Sequence, residues 1–120
     1  MKTILVADDF QTSRKVIVNA LSRAGFQTLE AGDGTEALSL MDGRPIDMLV
    51  TDFNMPNMDG AELIANMRKQ DDYCFLPALV LSTEIKAEKK QRAEAAKITA
   101  WIQKPFDLDK FIKIVHKALK

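Results

Sequence analysis

A chain of 120 residues, 47% apolar and 28% charged, can bury about two-thirds of its unfolded surface in one core, which excludes the disordered and low-complexity classes. One cysteine, Cys74, excludes an internal disulfide and fits a packed thiol in a reducing, cytoplasmic setting. The opening MKTILVA meets Asp8 too early for a secretory signal, no run reaches membrane-span length, and neither membrane nor nucleic acid is an expected partner.

In chain order, residues 3–7 (TILVA) have strand length and end on Asp8-Asp9. Val16, Ala20, Leu21 and Ala24 then recur at helical spacing, and Gly25 is placed to stop that helix in a left-handed turn. A second strand at residues 28–29 ends blandly at Ala31-Gly32. Asp33-Gly34-Thr35-Glu36 resembles a capping box opening a helix with Ala37, Leu38 and Met41 inward and Gly43 as its stop. Residues 48–50 begin a third strand that runs to Asp52 within LVTDFNMP. A second capping box, Asp59-Gly60-Ala61-Glu62, precedes Leu63, Ile64 and Met67. The fourth strand, residues 78–81, ends at Ser82-Thr83, and the fifth, residues 100–102, at Gln103-Lys104-Pro105. From about Asp107 a last helix places Leu108, Phe111, Ile112, Val115 and Leu119 inward and Lys110, Lys113 and Lys117 outward, with His116 a solvated neighbour of those lysines.

Strands apolar on both faces, alternating with helices, predict an α/β fold: a (βα)5 doubly wound, five-stranded parallel sheet forming a single domain over residues 1–120. The polar residues gather where the strands end. In such a sheet ligands bind outside the carboxyl ends where strand order reverses, and an order 2-1-3-4-5 puts that point between strands one and three, bringing Asp8, Asp9 and Asp52 together. Two carboxylates about 4 Å apart repel by roughly 4 kcal/mol at an effective dielectric near 20. The crowding calls for a shared proton or a cation, and all-oxygen donors with room for water and phosphate favour Mg2+ over Ca2+. Lys104 and Ser82 would reach the same crevice. Three acids, a lysine and a hydroxyl suit phosphoryl chemistry, for which a carboxylate is a competent nucleophile. That gives Asp52, costly to bury alone, its reason to end an apolar strand.

Charge is balanced overall but uneven: residues 1–83 carry 7 Lys/Arg against 12 Asp/Glu, and residues 84–120 carry 10 against 5. The basic third suits either an anionic partner or plain solvation.

The stretches ILVADD (4–9), TDFNMPNMDG (51–60), LSTE (81–84) and KPF (104–106) resemble the response-regulator receiver domains of two-component signalling, with flavodoxin-like strand order, over essentially the whole chain. The resemblance implies that Asp52 accepts a phosphoryl group from a phosphohistidine of a histidine kinase. It implies Asp9 as a direct Mg2+ ligand, Asp8 as its partner directly or through water, and the backbone carbonyl of Asn54 as a third protein ligand beside Asp52. Ser82 resembles the hydroxyl that moves to the phosphoryl oxygen, Lys104 the lysine that pairs with it, Trp101 the aromatic rotamer switch, and Lys104-Pro105 a cis bond. Stand-alone receivers of the chemotaxis type are most similar. They imply no effector domain, output through a downstream protein target such as a flagellar motor switch, a phosphatase as a further partner, and no enzymatic role beyond assisting their own phosphorylation and dephosphorylation. Another pathway or phosphorelay is the alternative. A Mg2+-dependent aspartyl-phosphate phosphatase would need a D-x-D pattern, and Asn54 stands at its second position. Two departures from the family matter: Lys97 stands where relatives carry a helix-ending glycine, so the exit of the preceding helix is expected to be rearranged, and Thr83 stands where they often carry Ala or Gly, narrowing the pocket's approach.

Overall fold

The computed structural model describes residues 1–120. Its elements are β1 (Thr3–Ala7), α1 (Gln11–Arg23), β2 (Gln27–Ala31), α2 (Gly34–Leu40), β3 (Met48–Asp52) and α3 (Gly60–Arg68), followed after one 3-10 turn by β4 (Ala78–Ser82), α4 (Ala87–Ala95), β5 (Ala100–Gln103) and α5 (Leu108–Ala118). The five strands are parallel, in the order β2-β1-β3-β4-β5.

Two-residue periodicity divides the central strands between two cores. Ile4, Val6, Val50, Leu79 and Leu81 face Ile17 and Leu21 of α1 and Phe111 and Val115 of α5. Leu5, Leu49 and Val80 face Leu63, Ile64 and Met67 of α3, with Phe53. Full burial of a large apolar side chain is worth about 1.5–3 kcal/mol, so the sheet is held from both sides. β2 departs from the expectation of strands apolar on both faces. It is an edge: Gln27 is exposed, and Glu30 is paired at 3.0 Å with Arg14 and 2.9 Å with Lys15, polar cover of the kind that blunts an open edge.

Helix ends follow local chemistry with three corrections. Gly25 adopts φ 96° and the Phe26 N–H donates to the Leu21 carbonyl at 3.1 Å, a Schellman stop. Each capping box forms only one arm: Asp33 accepts the Glu36 N–H at 2.7 Å and Asp59 the Glu62 N–H at 2.8 Å. Their second oxygens take Asn57 and Arg92 instead. Gly43, at φ 104°, turns the loop beyond α2, whose C-cap is Met41, and donates to the hydroxyl of buried Tyr73 at 2.9 Å.

The third correction is at Lys97. The exit of α4 keeps the ordinary left-handed stop, with Lys97 itself at φ 67° and its N–H on the Glu94 carbonyl at 2.9 Å. Arg68 holds that exit: its guanidinium donates to the carbonyls of Lys97 at 2.7 Å and Leu76 at 2.5 Å, and this burial pulls its pKa below the usual arginine value. A left-handed non-glycine residue costs about 1–2 kcal/mol. Replacing Lys97 with glycine removes that cost and returns part of it as unfolded-chain entropy, so Lys97→Gly should stabilise by about 0.5–1 kcal/mol, read as a higher urea midpoint at unchanged slope.

Candidate functional site

Asp52 ends β3, and the register pairs Thr51 with Ala7, so Asp8 leaves β1 beside it at the carboxyl edge where strand order reverses. One carboxylate oxygen from each of Asp8, Asp9 and Asp52 lies within 4.8 Å of the others; Asp8 is buried, Asp52 half-buried and Asp9 exposed. At that separation each pair repels by roughly 3–4 kcal/mol at an effective dielectric near 20.

Lys104 offsets part of this, its Nζ standing 3.6 Å from Asp52 Oδ2 and 3.9 Å from Asp8 Oδ2. Backbone donors take the remaining oxygens: the Phe53 N–H reaches Asp52 Oδ1 at 2.8 Å and the Phe10 N–H reaches Asp8 Oδ1 at 3.0 Å. Burial is the largest influence on Asp52 and pushes its pKa up. Lys104 and the Phe53 N–H pull it down, Asp8 and Asp9 push it further up, and the net result is a value above the ordinary 3.8. One lysine against three acids leaves surplus negative charge among oxygen-only donors, and that donor set fits a hard divalent cation.

The loop carrying Asp52 into α3 is fixed at close range. Gly60 donates to the Phe53 carbonyl at 2.7 Å, and a Cβ on Gly60 would lie 2.6 Å from the Asp52 carbonyl oxygen. Asn57, left-handed at φ 70°, donates its amide to Asp33 at 2.9 Å and ties the loop to the start of α2.

On the β4 side Ser82 is fully buried, with its Oγ accepting the Glu84 N–H at 3.0 Å and its carbonyl accepting the Lys104 N–H at 2.9 Å. The strand ends carrying the hydroxyl and the ammonium are therefore bonded to each other. Lys104-Pro105 is cis. Thr83 is exposed and lines a groove of about 530 Å³ with Lys104, Pro105, Phe106 and, across it, Ser13 and Val16 of α1. Trp101 packs its ring 5.5 Å from that of Phe53, under Lys90, and its buried Nε1–H has no partner. His116 is exposed, 5.2 Å from the Phe26 ring. The Asn54 side chain turns to Glu84 and Lys89, each at 3.4 Å.

The profile of the response regulator receiver domain matches residues 4–116. The chain belongs to the response regulator receiver family. This receiver is 40% identical over 104 residues to the chemotaxis protein CheY-3 of Vibrio cholerae, covering 86% of the chain and 80% of that protein. Its backbone matches the crystal structure of Vibrio cholerae CheY4 with a TM-score of 0.93 at 36% identity, over 99% of each chain. The receiver domain of the sensor histidine kinase PA1611 from Pseudomonas aeruginosa, solved with a magnesium ion in its active-site cleft, shares the fold at a TM-score of 0.91 and 20% identity, over 98% of this chain and 97% of that one. The receiver is thus CheY-like, a component of two-component signalling, and none of its helices is long and apolar enough to cross a membrane.

Residue-by-residue reasoning did not single out Phe53, Lys89 or Arg92 of this receiver, although Lys89 and Arg92 both sit over the Phe53 ring, at 6.0 and 5.7 Å. Their signal was spread over a helix with few apolar residues, since only Ala93 of α4 is buried.

Proposed function

We propose that residues 1–120 act as a cytoplasmic receiver in which Asp52 accepts a phosphoryl group from the phosphohistidine of a histidine kinase, changing the receiver's affinity for a protein target in chemotaxis or motility. The observation that carries this reading is Lys104 Nζ held within 4 Å of both Asp52 and Asp8 inside a cluster of three carboxylates. In the transfer an Asp52 carboxylate oxygen attacks phosphorus, the N–P bond of the donor breaks, and its electron pair leaves on the imidazole. Asp8, Asp9, Asp52 and the Asn54 carbonyl would hold a Mg2+ ion, which would supply charge neutralisation for the phosphoryl oxygens. Lys104 balances the charge that remains. Burial and the flanking acids make the bare Asp52 carboxylate less stable, which favours the exchange. The receiver turns over no external substrate and promotes only its own phosphorylation and hydrolysis.

Ser82 Oγ accepts from Glu84 and keeps its own proton free to donate to a phosphoryl oxygen. Charge-assisted hydrogen bonds are worth about 1.5–3 kcal/mol each, and two of them, from Ser82 and Lys104, approach the 5.5 kcal/mol or so that inverts a 1:99 population. Movement of Ser82 frees space beside Trp101, whose unpartnered indole N–H favours a second rotamer. The basic surface of residues 84–120 then presents a changed face to an acidic target, with a flagellar motor switch and a phosphatase as the candidate partners.

Transfer of labelled phosphoryl from an autophosphorylated histidine kinase to wild type, and not to Asp52→Asn, is the expected result; equal labelling of both would refute the assignment. Removing the branched side chain in Thr83→Ala widens the approach beside Lys104 and should change the hydrolysis rate, by about twofold or more toward faster loss, a barrier change near 0.4 kcal/mol. Equal decay rates with and without a partner phosphatase would dispose of that role.

A further inference from the structure

The turn that carries Asp8 and Asp9 out of β1 is held by a residue of α1. No backbone N–H reaches the carbonyl of buried Asp8, and Phe10, the N-cap of α1, offers no side-chain cap. Arg14 fills the place: its Nη1 donates to the Asp8 carbonyl at 2.7 Å while its Nε donates to Glu30 of β2 at 3.0 Å. A guanidinium presents those donors in one rigid plane, so each bond fixes the direction of the other. Lys15 donates to the second Glu30 oxygen at 2.9 Å and makes no ion pair with Asp8 or Asp9. The Arg14 side chain is 16% exposed and that of Lys15 51%, so the first is built into the fold and the second lies on its surface.

We propose that Arg14 is a positioning residue for the divalent cation: through the Asp8 carbonyl it sets the peptide that joins Asp8 to Asp9, and so the places from which both carboxylates reach the acid cluster. This rests on Asp8, Asp9 and Asp52 being the cation site. The Asp8 carbonyl belongs to a planar unit that contains the Cα atoms of both acids. The Asp8 N–H is tied to the Ala31 carbonyl at 3.1 Å and its carboxylate to the Phe10 N–H at 3.0 Å, so Arg14 supplies the remaining restraint on that plane. Without the guanidinium a buried carbonyl loses its partner, and the peptide turns toward water to regain one. Asp9, the exposed member of the cluster, turns with it. Charge alone predicts the opposite sign: Arg14 is a cation beside the acids, and its removal would by itself favour a bound dication. Geometry and field pull the affinity in opposite directions, and the sign of the change shows which governs.

The test is calorimetric titration of the full chain with MgCl2, with no phosphoryl donor present. Arg14→Met should raise the Kd for Mg2+ by about fivefold or more, which is about 1 kcal/mol at roughly 1.4 kcal/mol per tenfold. Glu30→Met, which frees the guanidinium to swing, should raise it by about twofold, and the double variant should bind no more weakly than Arg14→Met. Lys15→Met removes the same charge from the same carboxylate and should stay close to wild type. Val115→Ala truncates a buried side chain of α5, lowers stability without touching the turn, and should also keep the wild-type Kd. An unchanged or lower Kd in Arg14→Met would overturn the proposal, as would an equal rise in Lys15→Met or Val115→Ala. Should Arg14→Met fail to fold, Glu30→Met decides by the same rule. Wild type without saturable Mg2+ binding would remove the cation site and this proposal with it, whereas wild-type binding matched by Arg14→Met removes Arg14 alone.

Discussion

Asp52→Asn is expected to take up no phosphoryl group and yet to be more stable than wild type at pH 7, by about 1–2 kcal/mol. The two effects share one cause. Asp52 carries a charge that burial disfavours and that Asp8 and Asp9 repel, and Lys104 with the Phe53 N–H offsets this only in part. A carboxyl whose folded-state pKa lies above its unfolded value leaves the folded state holding more protons through that interval, so its ionisation lowers stability as pH rises from about 3.8 through the raised value. The advantage of the amide should therefore be full at pH 7 and disappear below the ordinary carboxyl range. Saturating Mg2+ should narrow the gap, because a ligand at 100 times its Kd stabilises the folded state that binds it by about 2.7 kcal/mol. Urea unfolding of both proteins at pH 7 and near pH 3.5, with and without Mg2+, checks each part; a destabilised Asp52→Asn at pH 7 would mean that the acid cluster is not under strain.

Gly60→Ala should cost about 2–3 kcal/mol and weaken phosphoryl uptake by the fraction that still folds. The added Cβ would meet the Asp52 carbonyl oxygen at 2.6 Å and the Phe53 Cα at 3.1 Å, both backbone atoms with no rotamer to yield. α3 must then draw away from the end of β3, lengthening the 2.7 Å bond from Gly60 to Phe53 and shifting the residue that bears the acceptor. Gly32→Ala is the control: its new Cβ would meet only the far ends of Glu36 and Arg14, at 3.6 and 3.8 Å, and should be nearly silent. A Gly60→Ala variant with wild-type stability and uptake would show that the start of α3 does not set the position of Asp52.

What could be read from the sequence follows from how local each signal is. The central strands and α5 announce themselves because burial on a period of two or 3.6 needs only a few consecutive residues, as in TILVA or in Phe111 and Val115. The acids, Ser82 and Lys104 were legible because each is a polar residue ending an apolar strand. β2 was placed as a strand, but its polar edge was not foreseen, because an edge strand has only part of its surface to bury and QTLEA reports this poorly. The exit of α4 was misjudged because the tertiary contact that sustains a left-handed Lys97 comes from Arg68, 29 residues away. The same limit applies to Asn57 with Asp33 and to Lys89 with Asn54: each pair joins loops that only the closed sheet brings together.

The central claim is that three carboxylates and Lys104 make Asp52 a Mg2+-dependent phosphoryl acceptor, and its most direct test is the intact mass of the chain after incubation with acetyl phosphate. Wild type should gain the mass of one phosphoryl group with MgCl2 and none with excess EDTA, and Asp52→Asn should gain none in either. An adduct that forms without the cation, or that persists in Asp52→Asn, would contradict the account.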